Sequence, residues 1–153
     1  MKTVFVIAGL IFFGFGCSTD KGVDLPKTDK INVVESDIAS GRIRKIIFYS
    51  IPYDAEFVVS VTPDVLEKLC LSPITKDCSD PLRQELIYAL HNTKVESTAV
   101  TPDLRWGAHL CDTNDISIHK IYLDRWGKDA IIDGQAMSIN RYLIRWFERN
   151  GKR

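Results

Sequence analysis

The sequence predicts an α+β fold: a small single domain whose antiparallel sheet of about four to five strands carries two to three helices on one face. Three observations lead there. Apolar segments of strand length are joined by short turn clusters, which favours antiparallel pairing. Two proline-led helix starts, at 62–64 and 80–81, interrupt them, and a third helical stretch closes the chain. A chain of 153 residues with 45% apolar and 26% charged residues supplies one core and little more.

Ile31–Ile38 reads as a weak strand, followed by a turn at Ser40-Gly41. Arg42–Ile51 is the clearest strand. Ile43, Ile47, Tyr49 and Ile51 share one parity and Ile46 and Phe48 the other, so both faces are apolar and the strand belongs inside a sheet. Pro52 ends it by removing a ladder donor. Phe57–Val61 is a second β-branched run, placed to pair back across 53–56. Thr62-Pro63-Asp64 starts a helix with a hydroxyl cap, a proline and an acid in the first turn, and Val65, Leu66, Leu69 and Cys70 form its apolar side. Asp80-Pro81 repeats the device for a helix buried through Leu82, Leu86, Ile87 and Leu90, with Asn92 as its C-cap.

Thr101–Cys111 reads as a strand, with Leu104, Trp106, Ala108 and Leu110 on one parity. The cluster Asp112-Thr113-Asn114-Asp115 turns the chain. Ile116–Leu123 follows as strand, Asp124–Lys128 as turn, Asp129–Asp133 as a short strand and Asp133-Gly134 as another turn. Residues 139–150 form the last helix, apolar through Ile139, Leu143, Trp146 and Phe147, and Asn150-Gly151 stops it.

The first sixteen residues are a targeting segment and not part of the fold. Met1-Lys2-Thr3 is a short basic start, and Val4–Gly16 is an uncharged run of thirteen residues. Crossing a bilayer takes about 20 apolar residues, so this run has the length of a signal peptide. It ends Gly14-Phe15-Gly16-Cys17, with polar sequence after it. A small residue followed by cysteine at that point resembles the lipobox of bacterial lipoproteins; Gly14 replaces the leucine usual three residues before the cysteine. The resemblance covers residues 1–18 and implies that Cys17 is lipidated and 1–16 removed. Membrane attachment through N-terminal acyl chains follows, tethered and not spanning. Ser18 in place of aspartate favours, by the same resemblance, the outer membrane facing the periplasm. Residues 17–30 carry the lipid and a flexible tether, with a reach on the order of 20 Å, and the domain occupies 31–153.

Removal of the leader costs one basic residue, Lys2, and leaves 19 basic against 20 acidic residues. Nucleic-acid binding draws on a basic surface, so no nucleic-acid partner is expected. Export makes disulfides favourable, and Cys70, Cys78 and Cys111 are the candidates. Cys70–Cys78 is preferred, because Pro73 turns the short segment between them; Cys78–Cys111 and Cys70–Cys111 remain open.

No metal and no cofactor are expected. His91, His109 and His119 do not stand with cysteines at zinc-site intervals. Asp112, Asn114, Asp115 and Asp124 could offer calcium oxygens, but a loop counted from Asp112 has Ser117 at its sixth position and Leu123 at its twelfth, not Gly and Glu. Their turn chemistry is the better account. A Cys111–His109 nucleophilic pair would share a strand face, and a buried thiol beside a structural histidine explains the same residues. No nucleophile elbow, zinc-protease helix or phosphate loop is present.

Arg-Trp recurs at 105–106, 125–126 and 145–146. The copies fall on different secondary structures, so this is no structural repeat, but arginine and tryptophan are the commonest interface anchors. Arg141, Arg145 and Arg149 make one stripe on the last helix, which Lys152 and Arg153 extend. These arginines, with Trp106 and Trp126, are the candidate partner-binding residues. The expected function is a non-enzymatic protein-binding domain on a lipid anchor, its partner another envelope or periplasmic protein. Its layout resembles immunity-type inhibitors of periplasmic toxins. The alternatives are an adaptor subunit of an envelope complex and a small cell-envelope hydrolase.

Overall fold

The computed structural model describes residues 27–52, 54–96 and 101–152. The leader, Cys17 and the tether as far as residue 26 lie outside the described residues. The elements run α1 (Lys27–Ala39), β1 (Lys45–Ser50), α2 (Pro63–Leu69), β2 (Ile74–Asp77), α3 (Asp80–His91), β3 (Val95–Glu96), β4 (Leu104–Cys111), β5 (Ser117–Asp124), β6 (Asp129–Ile132), β7 (Gln135–Ile139) and α4 (Tyr142–Asn150).

The fold is α+β around one antiparallel sheet in the order β2-β1-β4-β5-β6-β7-β3. It has more strands and helices than the sequence suggests. The central hairpins form where turn chemistry asks for them. Asp112 Oδ1 accepts the N–H of Asn114 at 2.8 Å and of Ile116 at 3.0 Å, and Asp124 Oδ1 accepts those of Lys128 at 2.8 Å and Asp129 at 3.2 Å. Asp133-Gly134 turns β6 into β7 with both φ angles positive, 47° and 77°. Asp112 and Asp124 sit at opposite ends of β5, so these acids do not converge on one ion.

Three segments differ from expectation, the shortest being Ile139, which was expected to open the last helix but ends β7, so that α4 starts only at Tyr142. Ile31–Ile38 is helix and belongs to α1, which begins four residues inside the stretch read as tether. Ile31, Val34 and Ile38 are buried while Val33 is exposed, so the effective spacing is three and four, not two. Packing against α3 outweighs the β preference of the branched residues. Phe57–Val61 is not a strand: Phe57, Val58 and Val59 are exposed in a loop. The partner of β1 on that edge is β2, with Phe48 opposite Ile74. Ile74–Asp77 therefore runs as an edge strand where a turn was expected.

The helices also cover both faces. Ile46, Phe48, Trp106, Ala108, Leu110, Ile121 and Leu123 face a large core closed by α1, α3 and α4. On the other face α2 lays Leu66 on Ile51, Val61, Leu104 and Tyr122. β1 is buried on the large-core face through Ile46 and Phe48 and half-buried on the other, where Ile47 and Tyr49 lie toward α2. From α4, Trp146 is fully buried, with ring centroids 5.2 Å from both Phe48 and Phe147. Burying aromatic rings of this size is worth several kcal/mol at about 25 cal/mol per Å².

No disulfide forms among Cys70, Cys78 and Cys111. Cys78 faces the large core, whereas Cys111 shares the α2 face with Lys45, its neighbour across the ladder. Cys70 Sγ lies 3.4 Å from the N–H of Ser50. Lys45 and Ser50 are five residues apart on one strand, about 16 Å, so Cys70 and Cys111 are beyond bonding reach.

α1 is fastened by His119, a buried residue of β5. Its Nε2 is 2.9 Å from Asp37 on α1, and its Nδ1 is 2.7 Å from Asp133 in the β6–β7 turn. Burial by itself would lower the imidazole's pKa, but the two carboxylates outweigh it and raise it above the ordinary value. The folded state therefore favours the protonated ring. That contribution is complete below the ordinary imidazole range, near 6.5, and is lost as pH rises through the raised value. Thermal unfolding should show stability declining as pH rises above about 6.5. His119→Ala should cost about 2 kcal/mol and remove that slope; a slope unchanged in the variant would exclude the clamp as its source.

Candidate functional site

An open cleft of about 850 Å³ lies between α4, the β5–β6 turn and the end of β1. α4 and the residues after it supply Arg141, Ile144, Arg145, Glu148 and Lys152; the turn supplies Arg125 and Trp126; Trp106 comes from β4, and Ser50, Ile51 and Pro52 from the end of β1. Four cations and one carboxylate thus face two tryptophans.

The cleft is held in shape by a close approach. Gly127 has φ +63°, and a Cβ placed there would fall 2.2 Å from the Ile144 Cβ. Only glycine lets the turn press against α4 so closely. Trp126 consequently stands half exposed at the cleft edge, with the Arg125 guanidinium 5.9 Å from its ring centroid. Trp106 is nearly buried, and Lys152 Nζ lies 5.7 Å from its ring.

The three Arg-Trp pairs separate for simple geometric reasons. On β4, neighbours point to opposite faces, except at the irregularity between Leu104 and Trp106, which puts Leu104, expected beside Trp106, Ala108 and Leu110, on the α2 face. Trp106 reaches the cleft, while Arg105, 2% exposed, turns the other way to Asp103 at 2.8 Å and the carbonyl of Ala55 at 3.2 Å. On α4, neighbours are 100° apart, so Trp146 enters the core and Arg145 stays outside. In the turn, Arg125 and Trp126 both line the cleft, and Arg125 also donates to the carbonyl of Ala55 at 3.2 Å. Of the residues singled out from sequence, Trp106, Trp126, Arg141 and Arg145 meet here. Arg149 lies in the neighbouring groove with Tyr88 and Tyr142. Arg125 and Lys152 complete the charge; the first was visible as half of an Arg-Trp pair, the second as the extension of the stripe.

Among the described residues, Arg141, Arg145 and Lys152 form no ion pair. Arg141 is moreover the N-cap of α4, whose first turn holds no acid. A cation at a helix N-terminus opposes the macrodipole. The stripe therefore runs against the helix at its start, and only Arg149, in the last turn, gains from it. The cations, the α4 N-terminus and Arg125 give the cleft a strongly positive field.

No family model, curated protein or solved structure matches the chain. The functional reading rests on this geometry and on the composition of the cleft.

A second polar group lies under α2. Glu67 Oε1 is 2.8 Å from His109 Nε2, accepts the Tyr122 hydroxyl and lies 3.4 Å from Lys120 Nζ. Tyr49 lies 3.4 Å from His109 Nδ1, its ring 4.7 Å from the imidazole. Burial works against the Glu67 carboxylate, yet the bonds from Tyr122 and His109 hold its pKa below the ordinary range. For His109 burial prevails over Glu67 and lowers the pKa, so the ring is neutral near pH 7. Both imidazole nitrogens thus have protein partners. Cys111 does not join them: its Sγ approaches the His109 carbonyl at 3.9 Å, and burial pushes the thiol's pKa up, away from thiolate. The pair needed for a cysteine nucleophile is not assembled. Among the described residues no His, Cys, Asp and Glu cluster could hold a metal ion.

Gly127→Ala should cost about 3 kcal/mol through left-handed strain and overpacking on Ile144. It should also shift Trp126 emission as the turn lifts from α4. Unchanged melting and fluorescence would show that the close approach does not hold the cleft.

Proposed function

We propose that the protein is a bacterial envelope lipoprotein whose body is a non-enzymatic protein-binding module, docking its partner at the arginine–tryptophan cleft. The observation that carries this reading is the excess of cations, four against the single Glu148 carboxylate, beside two tryptophans. Surface charges of one sign are normally interspersed with the other, and concentrating them raises self-repulsion. Arginine and tryptophan together supply what protein interfaces use as anchors: apolar area, stacking and planar hydrogen bonding. The exposed Phe57-Val58-Val59 loop, held through Ala55 by Arg105 and Arg125, adds apolar surface of the kind that marks contact sites. The closed condition of the Glu67–His109–Tyr122 group favours binding over hydrolysis.

The anchor is the sequence's contribution. Acyl chains on Cys17 would hold the body at a surface, with the outer membrane facing the periplasm as its address, and raise its effective concentration toward membrane-proximal targets. An immunity-type inhibitor of a periplasmic toxin is one form of this function, and an adaptor of an envelope complex is another; the same cleft serves both.

Arg141→Glu, Arg145→Glu and Arg149→Glu combined should abolish capture of the partner from detergent-solubilised envelopes while leaving the circular dichroism spectrum unchanged. Capture at the original level would remove the stripe from the interface. Mass spectrometry of the native product should show residues 1–16 absent and acyl mass on Cys17, and Cys17→Ser should move the protein to the soluble fraction. An intact Met1 or a bare thiol at position 17 would overturn the anchor.

A further inference from the structure

The loop beside the cleft holds an apolar tip out in water. Its two ends are pinned. The Ala55 carbonyl accepts from Arg105 and from Arg125, each at 3.2 Å, and the Val61 N–H donates to Asp103 Oδ1 at 2.9 Å. Arg105 is itself buried and paired with Asp103, and its guanidinium lies 5.1 Å from the Phe57 ring centroid. Between the pins the chain bends at Val58 and Val59. Val61 sinks into the core under α2, while Val58 is wholly exposed, Val59 70% exposed and Phe57 37%. Elsewhere among the described residues no two adjacent large apolar side chains are exposed. Here three stand in succession, on a backbone that Arg105 and Asp103 fix in place.

The tip, Phe57 to Ser60, carries no charge, and its three apolar side chains offer no hydrogen bond, so its favourable surroundings are apolar. The loop's own acids, Asp54 and Glu56, lie at the pinned base and not at the tip. On the lipid-anchor reading, residues 17–26 separate the acylated cysteine from the start of α1. A segment of that length spans at most about 35 Å, close to the ~35 Å width of a domain of this size. The body therefore stays within about its own width of the bilayer, and the bilayer is the apolar medium always within reach of the tip. Charge agrees with this. Arg125 joins the loop to the cleft, where four cations face the single Glu148 carboxylate, and anionic headgroups match that excess.

We infer that Val58 and Val59, with Phe57 behind them, insert into the bilayer that carries the anchor, and that this contact fixes which face the body turns to the membrane. Three side chains are too few to hold a free protein on a membrane. On a tethered body the insertion is intramolecular, and a weak contact is enough to choose an orientation. The cleft then opens beside the headgroups. The inference rests on the lipid-anchor reading and is independent of what the cleft docks.

The test uses the native chain purified from envelopes and reconstituted in vesicles of phosphatidylethanolamine and phosphatidylglycerol with brominated acyl chains, which quench an indole that enters the hydrocarbon. Trp126→Phe removes the half-exposed native indole, and Trp106 and Trp146 are buried. In that background the indole placed by Val58→Trp should be quenched and its emission should shift to the blue. Tyr88→Trp places an exposed indole on α3 instead, and it should stay unquenched. Adding Val59→Asp to Val58→Trp should abolish the quenching, because a carboxylate resists the hydrocarbon, while the chain still floats with the vesicles and its circular dichroism is unchanged. Equal quenching at positions 58 and 88 would show a body with no preferred face and overturn the inference. An unquenched indole at position 58 on a chain that floats would overturn the insertion and leave the anchor standing. A chain that does not float would overturn the anchor and the insertion with it. If the indole at position 58 is unquenched and Val58→Asp with Val59→Asp abolishes the stripe-dependent capture, the tip belongs to the partner protein and the inference falls.

Discussion

The contacts of Trp146 and Phe147 with Phe48 of β1 set the rotation of α4, and with it everything the cleft presents. Phe48 is central to β1, on the face of that strand buried in the large core. An indole fully sunk against it leaves a helix little freedom to roll, because interiors are close-packed and a shifted ring would open a void. With Trp146 inward, Arg145 must point outward, and Arg141, the N-cap one turn before it, lies on the same side. Gly127 against Ile144 then brings the β5–β6 turn to the same helix. One apolar contact and one glycine thereby position charges that otherwise repel one another.

The two buried histidines show how environment divides a residue type. His119 lies between two carboxylates, which raise its pKa despite burial; His109 has one carboxylate and a tyrosine hydroxyl, and burial prevails and lowers it. The first fastens α1 to the sheet and the second fastens α2. Each helix is thus held on its face by a polar bond as well as by apolar contact, and each bond satisfies groups that would be costly to bury alone. The cleft cations on and after α4 are different: Arg141, Arg145 and Lys152 are exposed and form no ion pair among the described residues, and the first of them opposes the helix dipole.

Local chemistry was legible where one residue decides the outcome. Pro63, Pro81, Asp112, Asp124 and Gly134 punctuate the chain where the sequence says they should, and Asn92 caps α3 through its own side chain, 2.8 Å from the Tyr88 carbonyl. Reading failed where two periodicities compete over a short span. Ile31–Ile38 satisfies a helical stripe as well as a weak strand, and the choice falls to α3, which needs a helix beside it. Phe57–Val61 has strand composition, yet the edge of β1 was taken by Ile74–Asp77. Edge pairing depends on which segment the loops can deliver, and composition does not encode that.

The sequence by itself determined the α+β class, the central hairpins, the proline-led helices and the two-faced character of the last helix, because each depends on residues within a few positions of one another. Tertiary structure decided which Arg-Trp partners meet. Arg105 turns away from Trp106 because strand neighbours face opposite sides; Trp146 leaves Arg145 because the core takes the indole; Trp106, Trp126 and Arg141 converge from three elements because packing brings those elements together. Convergence over long sequence separations is settled by burial and close packing, and no local pattern carries that information.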